Sequence, residues 1–302
     1  MKLIALNRAM VLQPQRDRLQ IIQAQLEDPA LSAEQQAELY FEQGVLYDEL
    51  GEYAEAVASY DRVLALEPDN DAAWNNRGVA LRCLERYSDA IDSYDKAIAI
   101  NPDGASRWYN RAMSLHYLGC YEEALVSHDR ALALDPTDAV WRERGHTLCH
   151  LKQYEEAIAS YDQALAMNPI DEKSWYGHGF ALDALKRYEE ALSSYDRALE
   201  IGSDYTDAHY GRGITLNTLK RYADALASFD RAIALKPDYW EAWYSRGVSL
   251  RKLHRYRAAF ASFYHAYGLN PQNDHEQNPS SMGTLFNQLW QWCRQRFRSE
   301  AH

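Results

Sequence analysis

Residues Asp71–Gly104 read DAAWNNRGVALRCLERYSDAIDSYDKAIAINPDG, and the pattern of this stretch recurs along the chain. Within it Trp74, Gly78 and Leu81 fall at helical spacing, and after a short break Tyr87, Ala90, Ile91, Tyr94, Ala97 and Ile98 do so again. Two short helices cannot bury their apolar faces alone, so such a unit is stable only when its neighbours stack on it. Moving outward, one column of small residues reads Gly44, Gly78, Ala112, Gly145, Gly179, Gly213 and Gly247. Twelve residues later comes Ala56, Ala90, Ala124, Ala157, Ala191, Ala225 or Ala259, and a tyrosine column runs Tyr53, Tyr87, Tyr121, Tyr154, Tyr188, Tyr222, Tyr256. The period is 34 residues with one exception of 33, in the turn between Pro136 and Trp141. Small residues belong where two helices approach closely. Prolines at 68, 102, 136, 169, 237 and 271, with Ser203 in the missing place, end the second helix of each unit.

Composition agrees with a packed chain. Of 302 residues 47% are apolar, which excludes wholesale disorder, and 25% are charged, enough for a soluble surface. The 22 tyrosines and 8 tryptophans outnumber the 7 phenylalanines, a choice suited to half-buried positions and binding faces. A net charge of −12 argues against a nucleic-acid partner. Cys83, Cys120, Cys149 and Cys293 are far apart with no CxxC pair, which predicts reduced thiols and a cytoplasmic location. No apolar run is long enough to span a bilayer. Met1–Leu6 looks briefly like a signal peptide, but Asn7 and Arg8 interrupt it and neither a cleavage site nor a lipid-acceptor cysteine follows.

The columns resemble the tetratricopeptide-repeat family, whose pattern is Trp, Gly, Ala, aromatic, Ala and Pro at fixed offsets. The match covers seven units, Ala37–Pro271. It implies an all-α superhelix, an α-solenoid of seven helix-turn-helix repeats with capping helices at both ends. The boundaries it implies are 1–36 for an N-terminal segment and cap, 37–271 for the repeats, and 272–302 for a linker and an amphipathic helix. One departure is systematic. Where the family usually has leucine before the small residue, this chain has Arg77, Arg111, Arg144, Arg212 and Arg246, as in bacterial-type arrays. Leu39–Gly51 also resembles the first repeat of NlpI-like envelope adaptors.

The arginine column has a counterpart in Asp61, Asp95, Asp129, Asp162, Asp196 and Asp230. Pairing each aspartate with the next unit's column residue gives Asp61–Arg77, Asp95–Arg111, Asp129–Arg144, Asp162–His178, Asp196–Arg212 and Asp230–Arg246. The first unit carries Gln43 and the last Tyr264, so the charges vanish where partners would be missing. This predicts a partly buried ladder of inter-unit ion pairs that sets the stacking register.

At the N-terminal end Arg16–Leu26, with Leu19, Ile22 and Leu26 on one side, reads as a capping helix between Pro14 and Pro29, and Ser32 with Gln35 as a capping box. After the polar stretch Gln272–Pro279, a helix from about Ser280 gathers Leu285, Phe286, Leu289, Trp290, Trp292, Cys293 and Phe297 on one side. A cap over the seventh hairpin is the preferred reading; a peripheral membrane or partner-seeking helix is the alternative.

In the family the first helix of each unit lines a concave face. The resemblance therefore implies a groove floor of Phe41, Asn75, Tyr109, Arg142, Tyr176, Tyr210 and Tyr244. One turn on come Val45, Val79, Met113, His146, Phe180, Ile214 and Val248. The candidate peptide-binding residues are Tyr109, Arg142, Tyr176, Phe180, Tyr210, Ile214, Tyr244 and Val248, with Gly177 and Gly211 expected to leave room for a ligand backbone. The expected partner is a protein or peptide client, bound extended or as an amphipathic helix. The competing reading is that these rings stack on adjacent helices and satisfy one another. His116, His146, Cys149 and His150 form a secondary metal candidate, since His146 and His150 lie one turn apart. No closed four-ligand set is visible, and scattered polar lining of a groove explains them as well. His128 stands in an aromatic core column and reads as packed. With no Gly-rich phosphate loop, nucleophile elbow or acid pair outside the repeating columns, neither an enzyme nor a cofactor is expected.

Overall fold

A computed structural model describes residues 12–269, and the described residues form fifteen α-helices with no strand. The expectations for residues 1–11 and for the helix near Ser280–Phe297, with Cys293, lie outside the described residues. The chain divides at Lys152 and Gln153 into two compact units, described separately below.

The first unit holds α1 (Gln13–Leu26), α2 (Ala33–Leu50), α3 (Tyr53–Leu66), α4 (Asp71–Cys83), α5 (Tyr87–Ile100), α6 (Ala105–Tyr117), α7 (Tyr121–Leu134) and α8 (Asp138–His150). Helix α1 starts three residues earlier than expected. Pro14 sits in its first turn, where a missing N–H removes no helical bond. Leu19 and Ile22 are buried, and Arg18 forms a bidentate pair with Glu42 of α2 at 2.6 and 2.7 Å. Ser32 and Gln35 form the expected reciprocal capping box. Asn70 and Thr137 cap α4 and α8 one-sidedly, their side chains accepting from the N–H of Ala73 and Val140.

The second unit holds α9 (Tyr154–Met167), α10 (Glu172–Ala184), α11 (Tyr188–Ile201), α12 (Thr206–Thr218), α13 (Tyr222–Leu235), α14 (Trp240–Lys252) and α15 (Tyr256–Leu269). Helices α10 and α11, α12 and α13, and α14 and α15 pack as antiparallel hairpins, as do α2 and α3, α4 and α5, and α6 and α7 in the first unit.

The glycine column explains the close packing inside a hairpin. A Cβ on Gly78 would lie 2.5 Å from the Tyr94 ring, and one on Gly213 would lie 2.5 Å from the Phe229 ring. Tyr60, Tyr94, Tyr195, Phe229 and Phe263 of the second helices lie against the bare backbone of the facing glycine and are buried. Between repeats the tryptophans tie the turn down. Trp74, Trp108, Trp175 and Trp243 each donate the indole N–H to the carbonyl of the proline six residues earlier, at 2.9–3.0 Å. The sixth repeat has lost both residues, yet His209 Nε2 sits 3.0 Å from the Ser203 carbonyl and preserves the bond.

The ion-pair ladder is present in full. Arginine Nε meets aspartate at 2.7 Å in Asp61–Arg77, 2.6 Å in Asp95–Arg111, 2.7 Å in Asp129–Arg144, 2.6 Å in Asp196–Arg212 and 2.5 Å in Asp230–Arg246. Burial is one-sided: the Arg246 side chain is 25% exposed and the Asp230 side chain 55%. The guanidinium has a second partner that the columns did not disclose. Arg77, Arg111, Arg212 and Arg246 donate Nη1–H to Ser93, Ser127, Ser228 and Ser262 at 2.7–2.8 Å. Ser93, Ser127 and Ser262 donate their own protons to the carbonyl four residues back, so they accept from the arginine. His178, which replaces arginine, makes a looser 3.3 Å contact with Asp162; burial pulls its pKa down while Asp162 pulls it up.

A candidate peptide-binding strip and a histidine cluster

Helices α10, α12 and α14 are the first helices of successive repeats, and the predicted strip follows them through the second unit. Tyr176, Tyr210 and Tyr244 are half-buried, each ring resting on the core aromatic of its own hairpin: Tyr195 at 6.0 Å, Phe229 at 6.1 Å and Phe263 at 5.4 Å. Their other neighbours come from residues that the helical columns passed over. Tyr205 packs on Tyr176 at 5.1 Å, and Tyr239 on Tyr210 at 4.9 Å. Both stand at the N-cap of the following first helix, outside the helical periodicity. The one available signal was their shared position, 34 residues apart. Burial raises the phenol pKa of Tyr205, Tyr210 and Tyr239, and for Tyr205 and Tyr239 the Tyr176 hydroxyl adds to it. The Tyr239 hydroxyl also sits 3.4 Å from Asp207. These four rings form two packed tyrosine pairs, Tyr176 with Tyr205 and Tyr210 with Tyr239, on successive repeats.

The one-turn-on positions divide. Phe180 is 45% exposed, whereas Ile214 and Val248 are half-buried and pack against the core of their hairpins. One expectation is overturned. Gly177 and Gly211 leave no room for a ligand backbone, because the rings of the preceding repeat already occupy it. A Cβ on Gly177 would lie 2.4 Å from Tyr161, and one on Gly211 would lie 3.0 Å from Tyr195. Tyr109 and Arg142 belong to the first unit. Tyr109 lies 6.3 Å from the His128 ring, and Arg142 pairs with its neighbour Glu143 at 3.1 Å.

In the first unit the structure brings together three of the four metal candidates. His116, in the last turn of α6, faces His146 and His150 of α8, with one ligand atom from each within 4.8 Å of the others. Cys149 is buried and is not among them. Burial, reinforced by the two neighbouring histidines, pushes the His116 imidazole down to about 4. Glu143 falls to about 2: burial alone would raise it, but His146 and Arg142 outweigh that. Among the described residues no helix is long and apolar enough to cross a membrane.

Tetratricopeptide-repeat family profiles match residues 41–105, 142–206, 176–239 and 210–274, and a second such profile matches 105–138. No curated protein sequence matches. Among solved structures, a tetratricopeptide repeat protein from Parabacteroides merdae is similar over 85% of this chain and 99% of its own, with TM-score 0.65 and 20% identity. YrrB, a TPR protein with an unusual peptide-binding site, aligns over 62% of this chain and 97% of its own, with TM-score 0.53 and 22% identity. The Cut9–Hcn1 hetero-tetramer of the APC/C aligns over 91% of this chain and 52% of the matched one, with TM-score 0.65 and 16% identity. Such low identities bear on the fold alone.

Proposed function

Because this chain belongs to the tetratricopeptide-repeat family, we propose that it is a protein-interaction scaffold, an adaptor or assembly factor that holds a client peptide or helix against its first helices. The observation that carries this reading is the repeated tyrosine pair, Tyr176–Tyr205 and Tyr210–Tyr239, with Phe180 exposed one turn on from Tyr176. Rigid rings with a polar edge give contact area at little entropic cost, and their hydroxyls can accept or donate to a peptide backbone. The rings are already braced by their own hairpins, so binding need not order them. The peptide-binding site ascribed to YrrB lies on a similar fold and supports the same reading. The short Leu39–Gly51 likeness to NlpI-like adaptors points the same way. The paired aspartates and arginines repeat along the chain as architecture, so we read the role as binding without catalysis. Cys83, Cys120 and Cys149 are free thiols, which suits a reducing compartment such as the cytoplasm.

The test is selection of ligands from a displayed random-peptide library on the full-length protein. Selected peptides should lose at least tenfold in affinity, measured by fluorescence anisotropy, against Tyr176→Ala/Tyr210→Ala. Phe180→Ser, a change at an exposed position that leaves the fold intact, should weaken them by a smaller factor. Peptides that bind all three proteins equally would place the client elsewhere and end this proposal.

A further inference from the structure

The histidine cluster of the first unit departs from the repeat pattern. In the column of His146 the other repeats carry Val45, Val79, Met113, Phe180, Ile214 and Val248, all apolar. His116 stands in a polar column with Asp48, Arg82, Cys149, Asp183, Asn217 and Arg251, and meets Thr147 of the next repeat as Asp183 meets Thr215 and Asn217 meets Ser249. The two histidines flank the one shortened turn, and the fold brings them face to face.

The spacing is that of a metal site. Ring centroids are 4.7 Å apart for His116–His146, 4.9 Å for His116–His150 and 5.0 Å for His146–His150, a nearly equilateral triangle. A tetrahedral ion with imidazole nitrogens at about 2.0–2.1 Å would put ring centroids about 5 Å apart and nitrogens about 3.4 Å apart. The rings are therefore already at about the required separation, and side-chain rotation has only to bring ligand atoms now within 4.8 Å to that spacing around one ion.

Hydrogen bonding is compatible with the tautomer a metal needs. Thr147 Oγ1 lies 2.9 Å from the Glu143 carbonyl and 3.1 Å from His116 Nδ1. With the hydroxyl proton on that carbonyl, Nδ1–H donates to Oγ1 and Nε2 is left to ligate. The Glu143 carboxylate lies 3.9 Å from His146 Nδ1, the side from which outer-shell carboxylates commonly orient a ligating histidine. Tyr121 stacks on His150 at 4.6 Å and meets the edge of His116 at 5.2 Å, giving the group a wall.

We propose that His116, His146 and His150 form a three-histidine site for a borderline divalent transition metal such as Zn2+, with at least one coordination position open to water or an exogenous ligand. The donor set excludes Mg2+ and Ca2+, which require oxygen ligands. Helices α6 and α8 come from adjacent repeats, so a bound ion cross-links two turns of the stack. It also places a Lewis-acidic centre on the face that first helices present.

Isothermal titration of the full-length protein with Zn2+ at pH 7.5 should give one ion per chain. The Co2+ derivative should show the intense visible bands of four-coordinate cobalt. His150→Ala, a change at an exposed residue, should weaken Zn2+ at least 100-fold with unchanged helical circular dichroism. His116→Ala should do the same, and it is the decisive variant. Retention of wild-type affinity there would reduce the site to a one-turn histidine pair on α8. Either that result or the absence of stoichiometric binding overturns the proposal. A Zn2+-dependent rise in melting temperature, lost in both variants, gives an independent readout.

Discussion

Ala112 puts a methyl group where every other repeat has glycine, and the same repeat is the one with histidine in the core aromatic column, at His128. A Cβ on Gly44, Gly78, Gly179, Gly213 or Gly247 would lie only 2.5–2.9 Å from a six-membered ring, so the smaller imidazole is the accommodation. It comes at a cost. Both His128 nitrogens are buried without a hydrogen-bond partner, and burial pushes its pKa down to about 4 from 6.5. The unfolded chain then takes up a proton near pH 6.5 that the folded chain refuses until about pH 4, so stability falls as the pH drops through that window. The loss is on the order of 3 kcal/mol. His128→Phe alone should destabilise by about 1–3 kcal/mol through overpacking against Ala112. Ala112→Gly/His128→Phe should recover that loss and flatten the acid limb of a urea-midpoint-against-pH profile. An acid limb unchanged in the double variant would remove His128 as its source. Of this pairing, the sequence disclosed that His128 is packed; the unsatisfied nitrogens are visible only once the surroundings are known.

Among the elements, the junction between the two helices of a hairpin is the least optimised part. The first helix ends in a left-handed residue each time, and only Gly51 and Gly119 are glycine; Glu85, Lys152, Lys186, Lys220 and His254 hold φ near +60° with a side chain attached. The returning bonds of a Schellman end are nonetheless made, as in Arg187 N–H to the Leu182 carbonyl at 2.9 Å and Arg221 N–H to Leu216 at 2.8 Å. Left-handed backbone costs a residue with a Cβ about 1 kcal/mol relative to glycine. Lys186→Gly and Lys220→Gly should each stabilise by about 0.5–1 kcal/mol in urea denaturation, while Lys186→Ala leaves the midpoint in place. A destabilised glycine variant would show that unfolded-chain entropy outweighs the relief. Helix positions were legible from their apolar period, but these ends were not: lysine carries no turn signal, and only the chain's need to reverse direction forces it left-handed.

For the whole molecule, stability is a sum over repeats and their nearest neighbours. The ladder places the same arginine–aspartate contact at every inter-repeat step but the one where His178 replaces arginine. Arg246 joins Asp230 of the preceding hairpin, Ser262 of its own, and the Trp243 ring at 5.8 Å. The half-exposed aspartates limit each ion pair to about 1 kcal/mol or less, and the serine bond adds a comparable amount. Arg246→Ala should therefore raise amide exchange roughly tenfold in α14 and α15, and leave α10 within error. A uniform rise across the second unit would mean that its repeats unfold together, and the nearest-neighbour description would fail.

Periodicity alone was enough to determine the hairpins, their number and the aspartate–arginine pairing. A residue repeated every 34 positions reports a contact that is itself repeated, at a sequence separation the columns reveal. Tertiary structure alone decided what fills the space at each column. Tyr161 closes over Gly177 where a ligand was expected, serine takes the second guanidinium proton, Tyr205 and Tyr239 extend the aromatic strip from outside the helices, and three histidines from two helices meet at one point. The physical reason is common to all of them. A column specifies which helix face a side chain leaves from, whereas its rotamer and neighbours are set by packing between helices that the period does not describe.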